Sequence, residues 1–169
     1  FGGLLESVAD AEQRTKVQVL SFGRVVLPDD MARLLECPLR SVGLRIERVR
    51  SDPGGPFSYT KCYLREPEAA LVTRQALGNR TVLSMLVAAG VPAAAAEQRI
   101  SATLADVDVA RLLKIEVSAP LIRLTRIVRN PEGRPIELIQ GLYRPDRYEY
   151  RVKLSRDRGG EAPQWMLKQ

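Results

Sequence analysis

The stretch "PLIRLTRIVRNPEGRPIELIQGLY", Pro120 to Tyr143, reads as two β-strands joined by the turn signal "NPEGR". Side chains alternate across a strand with period two, so Ile122, Leu124, Arg126 and Val128 share one face of the first strand. In the second strand Glu137, Ile139, Gly141 and Tyr143 share a face. Ile136, Leu138 and Leu142 form the other, which is better suited to packing against helices. A tight turn between two such strands makes an antiparallel hairpin, the first piece of the fold.

Working outward, "SVGLRIERVR" and "FSYTKCYL" read as a second pair of strands around the turn "SDPGGP". "KVQVLSF" (Lys16 to Phe22) and "AEQRISATLA" alternate like strands, and "RYEYRVKL" reads as one more near the end. Between them lie helical signals. "PDDMARLLE" opens with Pro28 and two acids, the favoured chemistry of a first turn. "PEAALVTRQALGN" has helical spacing up to a Gly78-Asn79 stop. "TVLSMLVAAG" offers Thr81 as N-cap and Gly90 as C-terminal signal, and "DVDVARLLK" offers Asp106 as a cap. Strands and helices come in segregated groups without regular β-α-β alternation, which predicts an α+β fold with an antiparallel sheet and packed helices. Residues 1–15 read as a linker or arm, 16–154 as the domain, and 155–169 as a loose tail in which Trp165 docks.

The chain of 169 residues suits one domain with its own core. Its net charge is +6, and 21 of its 26 basic residues are Arg. These are scattered among Asp and Glu without a basic block, which favours a compositional bias over a nucleic-acid surface. There is no His, which excludes the Ser-His-Asp, Cys-His and H-E-x-x-H chemistries, and no Gly-rich phosphate loop pattern occurs. Cys37 and Cys62 are far apart and suggest neither a disulfide framework nor a zinc site, so no metal or cofactor is expected. No apolar stretch is suited to span a membrane and no signal peptide is visible, so a cytoplasmic location is expected. The initial Phe1 suggests a fragment of a longer protein.

Strand parity places several charges on apolar faces. Arg48 and Arg50 continue the face of Val42, Leu44 and Ile46. An unpaired buried guanidinium costs several kcal/mol, so each needs solvent, an internal carboxylate or an anionic ligand. Glu137, Gly141 and Tyr143 suit either a polar pocket, with Gly141 leaving the space, or a solvated outer face. Arg126, also inward, is read as half of a structural ion pair with Asp146.

The succession "LRIERVRSDPGGPFSYTKCYL", "TVLSMLVAAG", "ISATLADVDVARLLKIEVSAPLIRLTRIVRNPEGRPIEL" and "YRPDRYEY" resembles the UTRA domain, the effector-sensing half of HutC-type GntR transcription regulators. The resemblance runs from about Lys16 to Leu154 and rests on the order and spacing of the pieces. It implies a chorismate-lyase-like fold, a small-molecule site, a homodimer, and DNA contact only through a winged helix-turn-helix module preceding Phe1. It also implies site roles. Arg48 and Arg50 match an R-x-R pair that grips an anionic group, and Thr81 matches a Ser at a helix N-terminus. Glu137 and Tyr143 match the acid and aromatic that hold the body of the ligand; Ser21 aligns loosely with a hydroxyl at the end of the first strand. Asp146, Arg147 and Tyr148 match a D-R-Y taken as architectural. Two departures bear on the ligand: Thr60 stands where many relatives have Glu, and Leu83 where they have Tyr, which makes an amino sugar less suited to the site. A phosphate- or carboxylate-bearing metabolite is the expectation, because Arg binds either group through paired, charge-assisted hydrogen bonds. A chorismate-lyase-like enzyme using Arg48 and Arg50 for substrate carboxylates, and a dimerisation module with a vestigial pocket, are the two alternatives.

Overall fold

The computed structural model describes residues 15–78, 80–150, 154–156 and 165–167. The expected linker therefore lies, up to residue 14, outside the described residues. Six strands, β1 (Lys16–Val26), β2 (Val42–Asp52), β3 (Gly55–Arg65), β4 (Ala95–Leu104), β5 (Pro120–Arg129) and β6 (Pro135–Tyr143), form one sheet in the order β1-β2-β3-β6-β5-β4. Every pairing is antiparallel. The expected α+β class with an antiparallel sheet is the one observed.

Both hairpin turns follow from their residues. In the β2–β3 turn, Asp52 Oδ1 accepts the amide of Gly54 at 2.8 Å and Gly55 takes φ +115°, a conformation that favours glycine. In the β5–β6 turn, Asn130 Oδ1 accepts the amide of Arg134 at 2.8 Å and Gly133 takes φ +78°.

Helices cover both faces. On one, Met31, Ala32 and Leu35, in and just after α1 (Asp29–Leu34), pack with Tyr63, Ile127 and Leu138. On the same face Val109, Ala110 and Leu113 of α4 (Val107–Leu113) pack with Val49, Tyr59 and Leu121. On the other, Leu44, Ile46, Cys62, Leu64 and Val128 meet α2 (Glu66–Ala69), a 3-10 turn (Gln75–Gly78) and α3 (Val82–Ala88) through Ala69, Leu77, Val82, Met85 and Leu86. Ile136 joins this cluster although parity places it with Leu138: the register shift opposite Val128 and Arg129 makes it the extra residue of a β-bulge.

Two local readings are corrected. The segment after Pro67 is not one helix; α2 ends at Ala69 and only the 3-10 turn follows. Ala69, Val72 and Leu77 are all buried in one cluster, so the segment keeps its contacts with the core without a continuous helix. Nor is there a strand over residues 147–150: the amides of Arg147 and Tyr148 both turn back to the carbonyl of Arg144, at 3.1 and 3.0 Å. In the closing stretch, β7 (Leu154–Arg156) pairs antiparallel with β8 (Trp165–Leu167), where a loose tail was expected.

Candidate functional site

At one end of the α3 face the apolar cluster stops and a cavity of about 140 Å3 opens. Its base follows from the register. Arg48, Thr60, Gly141 and Leu124 lie side by side across β2, β3, β6 and β5, and the next row is Arg50, Ser58, Tyr143 and Ile122. The small residues Thr60 and Gly141 thus sit at the centre of the sheet, between long side chains from strands on either side. The ring of Tyr143 folds back over Gly141: a Cβ there would come within 2.5 Å of Tyr143 Cε2. The space expected above Gly141 is therefore used by the phenol itself.

Six of the seven residues expected at the site line this one cavity: Arg48, Arg50, Thr60, Thr81, Glu137 and Tyr143. Ser21 does not. A bulge at Leu20 shifts the register of β1, so Ser21 faces Glu47 across the strands and points to the opposite side of the sheet. Thr81 reaches the cavity as the N-cap of α3, where its Oγ1 accepts the amide of Ser84 at 3.1 Å. Its hydroxyl hydrogen can still be donated.

Glu137 is 1% exposed. Its Oε1 accepts a hydrogen bond from Cys62 Sγ at 3.6 Å, while Oε2 has no partner among the described residues. Burial pushes the Glu137 carboxyl up from its ordinary value of 4.5, and the nearby Arg48 guanidinium opposes that shift. Arg48 in turn has a buried Nη1 without a partner among the described residues. A buried acid and a half-buried cation, each with a buried, unsatisfied atom, thus face one cavity; such atoms cost free energy unless something pairs with them. Arg50 Nη1 donates to Thr15 Oγ1 at 2.7 Å. Burial also raises the Tyr143 phenol and pushes the Cys62 thiol well above its ordinary value, so both stay protonated and Cys62 is a poor nucleophile.

Two lining residues had been given structural roles. Arg126 is not paired with Asp146, which is 59% exposed and bonded to Arg144 at 2.6 Å. Arg126 instead lines the cavity, and its Nε donates to Oε1 of Gln98 on the edge strand β4 at 2.8 Å. Tyr148 of the D-R-Y segment also lines it, stacked on Tyr143 with ring centroids 4.3 Å apart. The rest of that segment is architectural as expected: Arg147 bonds Asp52, and Arg144 donates to the carbonyl of Pro56 at 3.3 Å, which ties the segment to the β2–β3 turn. Strand parity already turned Arg126 inward; the position of Tyr148 had no periodic signal. Among the described residues no group of three or more side chains is placed to hold a metal ion.

Cations, a buried acid, hydroxyls and a pair of aromatic rings around one small cavity define a domain equipped to hold a small polar molecule. The UTRA domain model matches residues 10–149, and the chain belongs to that family. Solved structures agree. The ligand-binding domain of a GntR-family transcriptional regulator from Bordetella bronchiseptica is similar at 27% identity, over 84% of this chain and 90% of that one, with a TM-score of 0.77. A transcriptional regulator from Streptomyces coelicolor is similar at 28% identity, over 92% and 94%, with a TM-score of 0.76. The effector domain of PhnF from Mycobacterium smegmatis shares the fold at 19% identity, over 83% and 88%, with a TM-score of 0.72. The likeness to effector domains of GntR-family regulators implies a ligand-sensing, regulatory role. Among the described residues no helix is long and apolar enough to cross a membrane.

Proposed function

We propose that this domain senses an anionic metabolite in the cytoplasm, as the regulatory part of a homodimeric, HutC-type transcription regulator whose DNA contact is made by a winged helix-turn-helix module. The observation that supports this most is the gathering of Arg48 and Arg50 with the buried Glu137 in one cavity, each side of the Arg48–Glu137 pair carrying an unsatisfied polar atom. Arg48, Arg50 and Thr81 take the anionic group, Glu137 accepts hydrogens from the body of the ligand, and Thr60 and Tyr143 line it. The effector acts by population shift: it binds one arrangement of the dimer more tightly and so changes the spacing of the DNA-reading modules. The role proposed is sensing and not turnover, a reading supported by the likeness to regulatory effector domains.

Thermal unfolding against phosphorylated sugars, small carboxylates and neutral sugars tests this. A ligand at about a hundred times its dissociation constant adds about 2.7 kcal/mol, or roughly 5–10 °C in midpoint for a domain of this size. The shift is expected for anions alone and is lost in the R48A/R50A double variant. An unchanged shift in that variant removes the anion grip, and product formed from chorismate replaces the sensor with an enzyme. Light scattering tests the dimer, which a monomeric mass at micromolar concentration would exclude.

A further inference from the structure

The cavity has cations on two sides. Arg48 and Arg50 rise from β2, while Arg126 rises from β5, with β3 and β6 between them. Three strand spacings amount to about 14 Å between the two backbones, and the long side chains line the cavity from both ends. Arg126 has no carboxylate within ion-pair distance among the described residues; its hydrogen bond from Nε to Gln98 orients the guanidinium and leaves both Nη groups for other acceptors. Glu137 stands on β6, between the two cationic walls, with its unpartnered Oε2 at the cavity. The enclosed space of about 140 Å3 is close to that of a cavity which holds one six-membered ring.

We infer that the effector is a short two-headed anion, with one acidic group on Arg48 and Arg50, a second on Arg126, and a hydrogen-bond donor such as a hydroxyl between them for Glu137. Arg126 is then the residue that selects two acidic groups over one. This rests on the cavity being the effector site, and it narrows the ligand from any phosphate or carboxylate to a diacid or phospho-acid. The charges agree: Arg48 and Arg126 alone face one carboxyl whose ionisation burial opposes, so a single negative charge leaves the cavity positive.

The test uses matched probes that differ in one acidic group: malate against 3-hydroxybutyrate, and 3-phosphoglycerate against glycerol 3-phosphate, titrated calorimetrically into the wild-type domain, Arg126→Gln and Arg126→Lys. Any other anion that shifts the melting midpoint is titrated with a counterpart lacking one acidic group. The two-headed member of a pair should bind the wild type roughly tenfold or more tightly than its counterpart. Arg126→Gln should remove that preference while leaving the single-headed member within about twofold, and Arg126→Lys should keep part of it. Equal affinity within every pair, or equal loss for both members in Arg126→Gln, overturns the inference but leaves the anion site standing. Binding of no anion at all, in a domain whose melting curve is cooperative, overturns the proposed function together with this inference.

Discussion

Glu137 concentrates the chemistry of the cavity in one side chain, and its burial has a consequence for stability. Its carboxyl is raised above 4.5 chiefly by burial, so the folded state holds that proton more tightly than the unfolded chain does. The stabilisation from this proton is full below about pH 4.5 and is lost as pH rises through the folded value, with a slope of at most about 1.4 kcal/mol per pH unit. Glu137→Gln removes the titrating group while keeping its shape. Urea denaturation at a series of pH values from 4 to 8 should therefore show the variant gaining on the wild type as pH rises, and ending more stable at neutral pH. A variant less stable at pH 7 would mean that Arg48 stabilises the ionised form beyond the cost of burying it. At this scale part was legible: parity put Arg48, Arg50 and Arg126 on the apolar faces of their strands, but left Glu137 open between a pocket and a solvated outer face. The partner of Arg126 was not: Gln98 comes opposite Ile139's neighbour only through the β4–β5 register, which is set by the whole sheet and leaves no trace near Arg126 in the chain.

Two helices begin with caps of the same kind but different surroundings. Thr81 caps α3 at the edge of the cavity, while Asp106 caps α4 on the opposite face of the sheet, its Oδ1 accepting the amide of Val109 at 2.8 Å. Replacing either by Ala should cost about 0.5–2 kcal/mol in chemical denaturation. The two variants should separate on ligand affinity: Thr81→Ala weakens binding of an anion, Asp106→Ala leaves it unchanged, and Thr81→Ser restores both readouts. Equal effects on binding would deny Thr81 its place at the ligand. These caps, with the turns at Gly55 and Gly133, were readable because each depends on a few consecutive residues. The failures are of another kind. The bulge at Leu20 that turns Ser21 away and the bulge at Ile136 arise in pairing with distant strands, and the break after Ala69 serves a core assembled from many elements. Alternation within one strand carries no information about any of them.

For the molecule as a whole, the charge of +6 invites a reading as a nucleic-acid surface, and the fold argues against it. No described helix exceeds seven residues, the length of α3 and of α4, so none presents the longer, free recognition helix that reads a major groove. Much of the Arg content is spent locally. Arg24, Arg45, Arg65, Arg129, Arg134, Arg144 and Arg147 each stand within ion-pair distance of a carboxylate, and Arg48, Arg50 and Arg126 turn into the cavity. A field built this way attracts a small anion into one cleft and gives a duplex no continuous stripe of cations to follow. In fluorescence anisotropy at 0.15 M salt, the domain by itself should show no saturable binding to duplex DNA tighter than the non-specific range of about 10⁻⁴ to 10⁻⁶ M. Added salt should remove what binding there is, and Arg48→Ala with Arg50→Ala should not alter it, since those side chains face the cavity. Saturable nanomolar binding would instead place the excess charge at a nucleic-acid interface, and the cavity arginines would then need an explanation other than a metabolite.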